Sequence, residues 1–294
     1  MESFDSTFQA YQNEIEAGLL KLMPAADEPP AIIHEAMRYC LAAGGKRLRP
    51  VLVMAAADLY PARADALPAA VAIELLHTYT LVHDDLPSMD NSPLRRGKPS
   101  AHVQFDEATA VLAGDALLTE AFRLLADAYS GQPEIAVGLI RCLATAADSR
   151  HLIGGQVADT LAENQEITAE KLDYIHNHKT ADLLTAALEM GLILSNSPEE
   201  AFPQIRIVGK SLGLAFQIID DILDATSTDE VLGKTTGNDA RQAKNTYVSL
   251  HGLEESQAAA ARETEKAMKA CRNLPDTDPQ FLEALIRKLE FRIN

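Results

Sequence analysis

Two groups of aspartates lie inside apolar, helix-forming stretches of the chain. One is HTYTLVHDDLPSMD at residues 77–90, which contains Asp84 and Asp90, and the other is DDILD at residues 220–224. Burying a carboxylate costs several kcal/mol unless it is paired or holds a cation. Hard oxygen ligands select Mg²⁺, with Mn²⁺ as the expected substitute, and Mg²⁺ commonly takes phosphate oxygens from a substrate. The two groups therefore predict a magnesium site that binds a diphosphate.

The second group has the spacing of a metal site. Positions four apart share a helix face, so Asp220 and Asp224 can approach one ion together. Gln217 precedes them by one turn on the same side, whereas Asp221 points elsewhere. An acidic pair at this spacing is repulsive unless a cation offsets it. A solvated helix edge is the alternative interpretation.

The first group requires a break in its helix. Asp84 and Asp90 are six residues apart, about 240° around a regular helix, so an unbroken helix would aim them in different directions. Pro87 disfavours helix at Leu86, and we therefore expect the chain to turn there and bring Asp90 back towards Asp84. His77 lies two turns before Asp84 on nearly the same face, although such a histidine is more often an ordinary core residue than a ligand.

Two basic segments can bind a second anion. GGKRLRP occupies residues 44–50 and RRGK occupies residues 95–98. They combine lysines, which act as point charges, with arginines that grip phosphate through two hydrogen bonds. Because the whole chain has a formal charge of −17, an anionic substrate must meet such local cations or a metal.

The composition also excludes several classes of partner. A charge of −17 argues against nucleic acid or an anionic membrane as partner, because the phosphate attraction would be reversed. The three scattered cysteines fit neither a disulfide framework nor a zinc site and indicate a reducing compartment. No run approaches the roughly 18 apolar residues of a membrane span. We expect a cytoplasmic protein without a membrane span.

Helices separated by short Pro, Gly, Asp and Ser breaks must position these residues. Ala and Leu dominate the apolar residues, which favours helix. No strand of useful length and no linker is evident, so we predict an all-α protein with a single domain over residues 1–294. The predicted helices cover residues 4–22, 31–43, 50–59, 68–85, 104–128, 133–148, 168–195 and 203–225, followed by a polar loop at 233–238 and two amphipathic helices around Pro275.

Seven motifs stand in order between Gly44 and Tyr247. They are GGKRLRP, HTYTLVHDDLPSMD, LRRGKPSAH, GGQVAD, HKT, FQIIDDILD, and GKTTGND with KNTY. Each motif alone is weak, but the set is highly specific. Together they resemble the short-chain trans-prenyl diphosphate synthases, and most of all the bacterial members that make a fifteen-carbon product. The flanking helices fit this resemblance, so it covers nearly the whole chain.

The resemblance implies a helical bundle of the isoprenoid synthase type. The bundle would surround a deep central cavity, with the aspartate groups facing each other across its mouth, and the protein would be a homodimer. Three Mg²⁺ ions per active site are expected. The metal site would consist of Asp84, Asp90 and Asp220 as direct ligands and of Asp224, Asp85 and Asp221 as support.

The same resemblance assigns the substrate and catalytic residues. The allylic diphosphate would be held by the ions together with Arg95, Lys179, Lys234 and Lys244. Isopentenyl diphosphate would be bound by Lys46, Arg49, His77, Arg96 and the Gly45 backbone. An allylic cation would form as diphosphate departs, assisted by Lys179 and Lys234 and flanked by Thr180 and Gln217. The released diphosphate would then remove the proton.

Product length is expected to depend on Tyr79. This residue stands five positions before Asp84, roughly 7.5 Å away along a helix. A bulky aromatic there, with a two-residue insertion between Asp85 and Asp90, resembles the fifteen-carbon type and predicts farnesyl diphosphate from a 1'-4 condensation. Tyr79 can instead be an ordinary core aromatic. Geranyl and geranylgeranyl diphosphate therefore stay open as products.

Some residues depart from the family pattern, and two other functions compete. Asn91, Ser92 and Pro93 follow Asp90 where further acid is common, and Asp182 stands near the HKT motif. Asn238 and Val248 replace a frequent lysine and proline. A class I terpene cyclase would leave the basic motif and His77 without a role. A non-catalytic subunit of a heteromeric synthase would normally lack one or both aspartate groups, and this chain has both.

Overall fold

Amphipathic repeats and Pro or Gly breaks divide the chain into helices. The computed structural model describes residues 3–163, 165–226 and 245–290, and the all-α prediction is confirmed. The first half contains α1 (Phe4–Leu22), α2 (Ala31–Leu41), α3 (Leu48–Ala57), α4 (Leu67–Asp84), β1 (Leu94–Arg95), β2 (Lys98–Pro99), α5 (Ala101–Gln104), α6 (Glu107–Ala128) and α7 (Pro133–Ala147). The second contains α8 (Leu152–Ala162), α9 (Ala169–Ile175), a π-helical turn (His176–Ala181), α10 (Asp182–Ile193), α11 (Ala201–Thr226), α12 (Tyr247–His251), α13 (Leu253–Arg272) and α14 (Gln280–Glu290).

The chain forms two compact units. The first unit consists of Met1–Met54 and Ala64–Ile140, and the second of Ala55–Arg63 and Arg141–Asn294. The expected single domain stays a prediction. No helix in the described part of the chain combines the length and the apolar content needed to cross a membrane.

Helix α4 forms the core of the first unit because it is apolar on nearly all sides. Every residue from position 69 to position 76 is buried, and each large aliphatic side chain buried there contributes roughly 1.5–3 kcal/mol. The helix packs against α6 and α1. A Cβ on Gly114 of α6 would lie 2.1 Å from His83 Nε2, so a glycine at this position lets the two helices approach. The end of α4 that carries the aspartates is thereby fixed.

Helix α11 occupies the corresponding place in the second unit. It packs against α13, α10 and the π-helical turn. Two glycines of α11 permit the close approach: a Cβ on Gly213 would lie 2.4 Å from Ala181 Cα, and one on Gly209 would lie 2.5 Å from Thr185 Cα. The second aspartate group therefore stands on a helix held by tight backbone contacts.

The structure corrects three predictions of local structure. The continuous helix expected over 168–195 is interrupted by the π-helical turn at His176–Ala181. Helix α8 was not predicted, because adjacent glycines in its sequence are typical of a loop. A two-residue hairpin joins β1 to β2 where no strand was expected. The polar loop predicted at 233–238 lies outside the described residues.

Candidate active site

The chain turns back on itself immediately after α4. Asp84 is the last residue of the helix, and the backbone N–H of Asp90 donates to the Asp84 carbonyl at 2.9 Å. Asn91, which closes this turn, has a φ of +48°, a conformation that asparagine tolerates better than most residues. The prediction that the segment around Pro87 returns Asp90 to Asp84 is therefore confirmed. Both aspartates are half-buried.

The neighbouring Asp85 has a different environment. It is buried, and Arg95 binds it through two nitrogens, with Nη2 at 2.5 Å from Oδ1 and Nε at 3.0 Å from Oδ2. Burial opposes the arginine charge, but the hydrogen bonds to Asp85 and the charges of Asp85, Asp84 and Asp90 together outweigh burial and raise the pKa of Arg95. The sequence assigned Arg95 to the allylic diphosphate. In this structure its guanidinium binds a carboxylate, so a phosphate would have to share it with Asp85.

The basic residues of the first unit come together around His77. Arg49 Nη1 lies 3.3 Å from His77 Nε2, and since a guanidinium can only donate, Nε2 accepts and Nδ1 carries the proton. Burial, followed by the charges of Arg49 and Arg96, lowers the pKa of His77 well below 6.5. His77 is therefore a neutral imidazole at pH 7 with one N–H to offer.

Arg96 reaches Gly45 from the tip of the hairpin. Arg96 and Gly97 form the two-residue loop between β1 and β2, and both have positive φ, as a tight hairpin turn requires. A Cβ on Gly45 would lie 2.5 Å from Arg96 Nη1. A larger residue at position 45 would displace the Arg96 guanidinium, and the φ of +139° at Gly45 also favours glycine. The structure thus brings Gly45, Arg49, His77 and Arg96 together, and Lys46 follows Gly45 on the same turn.

Tyr79 is buried in the first unit, with 6% of its surface exposed. Its ring packs edge-to-face on His83 at a centroid distance of 5.5 Å. Burial and the charge of Asp84 raise the pKa of its hydroxyl. The residue is therefore a fixed aromatic one and a half turns before Asp84, and its role in product length stays a prediction.

The second aspartate group divides between two environments on α11. Asp220 and Asp224 are half-buried, whereas Asp221 is only 4% exposed. Asp221 Oδ2 accepts from the backbone N–H of Tyr247 at 2.7 Å, and Oδ1 accepts from Gln217 Nε2 at 3.3 Å. Asp221 therefore anchors the start of α12. Gln217 therefore binds Asp221 through its amide nitrogen, and its expected place beside Asp220 and Asp224 stays a prediction.

The π-helical turn presents Lys179 and Thr180. Thr180 Oγ1 donates to Gln217 Oε1 at 3.1 Å. Lys179 Nζ lies 2.5 Å from Asp159 Oδ2 of α8. A π turn inserts one residue into a helix and is frequent at functional sites. The inserted residue changes which side chains face Gln217, which periodicity alone could not predict.

Sequence reasoning missed the residues of the GGQVAD motif that support this turn. A Cβ on Gly155 would lie 2.3 Å from the Lys179 backbone N and 2.8 Å from the His178 carbonyl carbon. Asp159 of the same helix binds the Lys179 ammonium. The paired glycines and the aspartate one turn later were visible in the sequence. Their meaning depended on knowing which element packs against α8.

A cavity of about 130 Å³ lies within the second unit beside these groups. The lining includes Lys179, Thr180, Gln217, Asp221, Asp159 and His176. Burial lowers the pKa of His176 to about 4, and its Nδ1 has no hydrogen-bond partner among the described residues. The cavity therefore combines side-chain oxygens, one ammonium and one neutral imidazole with the apolar side chains of Leu172 and Ile175.

The donor groups fit magnesium bound partly by substrate. Among the residues that the structure describes, no three His, Cys, Asp or Glu side chains form a complete metal cage. Magnesium usually keeps waters and takes phosphate oxygens instead of using an all-protein cage. The carboxylates of Asp84, Asp90, Asp220 and Asp224 are half-buried and have the hard oxygens that Mg²⁺ prefers. Lys234 and Lys244 lie outside the described residues.

Comparison with known sequences identifies the family of the chain. The profile of the polyprenyl synthetase family matches residues 30–284. A farnesyl diphosphate synthase of Micrococcus luteus is 46% identical over 260 residues, which are 87% of this chain and 89% of the relative. A chloroplastic geranylgeranyl pyrophosphate synthase of Capsicum annuum is 40% identical over 292 residues, 98% of this chain and 79% of the relative.

Solved structures of related proteins have the same fold. A geranyltransferase of Helicobacter pylori, solved with magnesium and isoprenyl diphosphate, superposes with a TM-score of 0.85 at 37% identity and covers 99% of both chains. The chain therefore belongs to the polyprenyl synthetase family, the trans-prenyl diphosphate synthases, and is a prenyltransferase of that family.

Proposed function

We propose that the protein is a magnesium-dependent synthase that condenses isopentenyl diphosphate with dimethylallyl or geranyl diphosphate and stops at farnesyl diphosphate. One observation carries the proposal. The first unit assembles a basic group, with Arg96 against Gly45 and Arg49 against His77, and His77 lies on the helix that ends in Asp84. A synthase must bind two diphosphates, whereas a cyclase binds one. We also propose a homodimer, which a single-chain mass in light scattering would contradict.

The proposed metal ligands are the four half-buried aspartates. The proposed ligands are Asp84 and Asp90 in the first unit and Asp220 and Asp224 in the second. About three Mg²⁺ ions are expected, for which Mn²⁺ could substitute. The magnesium named with the Helicobacter pylori relative supports this assignment. When bound, such ions neutralise the departing diphosphate and so lower the barrier to breaking its C–O bond.

The chain's own cations would bind the two diphosphates. In the proposal, Lys179, with Arg95, Lys234 and Lys244, holds the allylic diphosphate. The Asp159 carboxylate compensates the Lys179 ammonium until a phosphate arrives. Neutral His77 donates Nδ1–H to isopentenyl diphosphate without adding charge. The positive charge that binds this diphosphate comes from Lys46, Arg49 and Arg96.

The polar pair of the second unit would serve the reacting carbons. Thr180 and Gln217 are hydrogen-bonded to each other, and their oxygens would flank the allylic cation that remains when the C–O bond breaks. The double bond of isopentenyl diphosphate then forms the new C1'–C4 bond. The proton lost from C2 passes to the released diphosphate, so the proposal needs no protein base.

The fifteen-carbon end point rests on Tyr79. Its buried ring is fixed against His83 and would close the space into which a growing chain extends from Asp84. The Micrococcus luteus relative, named a farnesyl diphosphate synthase, supports this length. The Capsicum annuum relative, named a geranylgeranyl synthase, favours twenty carbons as the second candidate.

Product analysis tests the proposal directly. Purified protein is incubated with isopentenyl diphosphate, magnesium and either dimethylallyl or geranyl diphosphate, and the products are separated by chain length. Farnesyl diphosphate as the end product is the expected result. A ten- or twenty-carbon end product would refute the role given to Tyr79 but keep the condensation. Absence of any product with either primer would refute the synthase.

A further inference from the structure

Arg47 differs from the other cations of the basic motif because it is buried. It is 3% exposed, and its nitrogens are bound by protein groups. Nε lies 2.7 Å from Glu16 Oε1, Nη1 lies 2.7 Å from Glu74 Oε1, and Nη2 donates to the Leu41 carbonyl at 2.7 Å. The guanidinium thus has acceptors on three sides. Arg47 therefore anchors the motif to the protein instead of facing a substrate.

Helix α1 supplies one of these acceptors and contacts the next residue as well. Gln12 Nε2 donates to the Lys46 carbonyl at 3.0 Å. Gln12 and Glu16 are four residues apart and so share one face of α1. This face holds the backbone at Lys46 and the side chain of Arg47. Helix α1 lies before residues 30–284, the segment that the family profile matches, so the motif alone does not identify these partners.

The turn that α1 contacts has a backbone that needs outside support. Gly44 has a φ of +80°, Gly45 of +139° and Arg47 of +50°. Positive φ is uncommon for a residue other than glycine and persists where surrounding structure imposes it. The contacts of Arg47 with Glu16 and Glu74 provide such surroundings. They also set the direction in which Lys46 leaves the turn and in which α3, the helix that carries Arg49, begins.

We infer that Glu16 and Gln12 are positioning residues for the isopentenyl diphosphate subsite. Through Arg47 and the Lys46 carbonyl they hold the turn that presents Lys46 and Arg49 to the substrate. This inference rests on the proposed function, because it concerns the site that function assigns to the basic group. Neither residue touches the substrate. They affect the binding of isopentenyl diphosphate and leave the binding of the allylic diphosphate unchanged.

Variants of α1 separate this role from a general effect on folding. Glu16 has a half-exposed side chain and Gln12 is half-buried, so replacing either with alanine leaves no large cavity. Glu14→Ala is the matched control, because Glu14 is exposed on the same helix and lies on another face. Glu16→Gln tests the chemistry, since its amide oxygen can still accept from Arg47.

The measurements are the dissociation constant of isopentenyl diphosphate by calorimetry without allylic substrate, and KM for each substrate. Glu16→Ala should weaken isopentenyl diphosphate binding roughly tenfold, as expected for loss of a hydrogen bond to a charged group, and Gln12→Ala about threefold. KM for geranyl diphosphate should stay within about twofold. Glu16→Gln should recover most of the loss, and Glu14→Ala should match the unchanged protein.

Three results would overturn the inference. An unchanged dissociation constant in Glu16→Ala, alongside a wild-type protein that forms product, would show that α1 does not position the subsite. An equal rise of both KM values would show a general structural effect. Failure of the wild-type protein to form any product would refute the proposed function itself, together with the subsite on which this inference depends.

Discussion

Replacing Gly155 with alanine should separate the placement of Lys179 from the stability of the fold. The added Cβ would lie 2.3 Å from the Lys179 backbone N, 2.8 Å from the His178 carbonyl carbon and 2.9 Å from the Lys179 Cα. All three are backbone atoms, so no side chain can rotate away. Restoring ordinary contact requires α8 or the π-helical turn to move by about 1 Å.

The expected loss of stability is small, whereas the expected loss of rate is large. Overpacking of this kind costs about 1–3 kcal/mol, and alanine returns about 0.5–1 kcal/mol as the better helix former. The net loss of about 0–2.5 kcal/mol corresponds to a fall in Tm of at most roughly 10 °C for a domain of 150–250 residues. A displacement of about 1 Å in a positioned group can lower the rate by about 100-fold.

The assay compares kcat and Tm of Gly155→Ala with those of Gly131→Ala. Among the described residues, no neighbouring atom lies within 4 Å of the position that a Cβ on Gly131 would take, and the φ of Gly131 is not positive. This control should therefore behave as the unchanged protein. Gly155→Ala should remain folded at 25 °C with kcat lowered about 100-fold. A wild-type kcat would refute the role of the π-helical turn in placing Lys179. A rate loss that appears only where the variant unfolds would refute it too.

Three further predictions follow from single residues. Tyr79→Ala should lengthen the product beyond fifteen carbons, whereas Tyr79→Phe should keep the product at fifteen. Chromatography of the products measures this, and the same product length in both variants would contradict the role given to Tyr79. Asp84→Ala should lower the magnesium-dependent rate by roughly 10³-fold or more, because the ions supply several kcal/mol, with Tm unchanged; near wild-type turnover would exclude Asp84 as a ligand. Because burial lowers the pKa of His176 from 6.5 to about 4, its contribution to stability is present above pH 6.5. It is lost as the pH falls towards 4, by up to about 3 kcal/mol. In urea unfolding, the free energy of unfolding of His176→Asn should depend less on pH between 4 and 6.5 than that of the unchanged protein. The same pH dependence in both proteins would contradict a buried, neutral His176.

Much of the fold could be predicted because it follows from local chemistry. Apolar repeats gave the helices, and Pro87 gave the turn that returns Asp90 to Asp84. The spacing of Asp220 and Asp224 placed both on one helix. Each of these inferences uses residues within about two turns of one another, where helix geometry alone determines direction.

The remainder depended on partners distant in sequence. Adjacent glycines in α8 are typical of a loop until the backbone at Lys179 is found against them. Arg47 resembles the other cations of its motif until Glu16 and Glu74 are found around it. The π-helical turn adds one residue to a helix without any breaking signal in the sequence. Such features are set by tertiary contacts, which override local preference.

The consecutive aspartates of the two groups, Asp84 with Asp85 and Asp220 with Asp221, have the same arrangement. Consecutive residues on a helix are about 100° apart, so the two members of each pair cannot share an environment. In each unit the first member, Asp84 or Asp220, is half-buried at the candidate metal site. The second member is buried and bound by protein groups: Arg95 binds Asp85, and the Tyr247 N–H with Gln217 binds Asp221.

This division explains how acidic pairs persist in apolar helices. A buried carboxylate is tolerated when its oxygens accept hydrogen bonds from charged or backbone donors. Asp85 and Asp221 meet that condition without a metal, and each fixes a neighbouring segment, the β1–β2 hairpin in the first unit and α12 in the second. Within each pair the buried carboxylate is therefore bound by the protein itself, and it holds the local structure beside the half-buried member, Asp84 or Asp220.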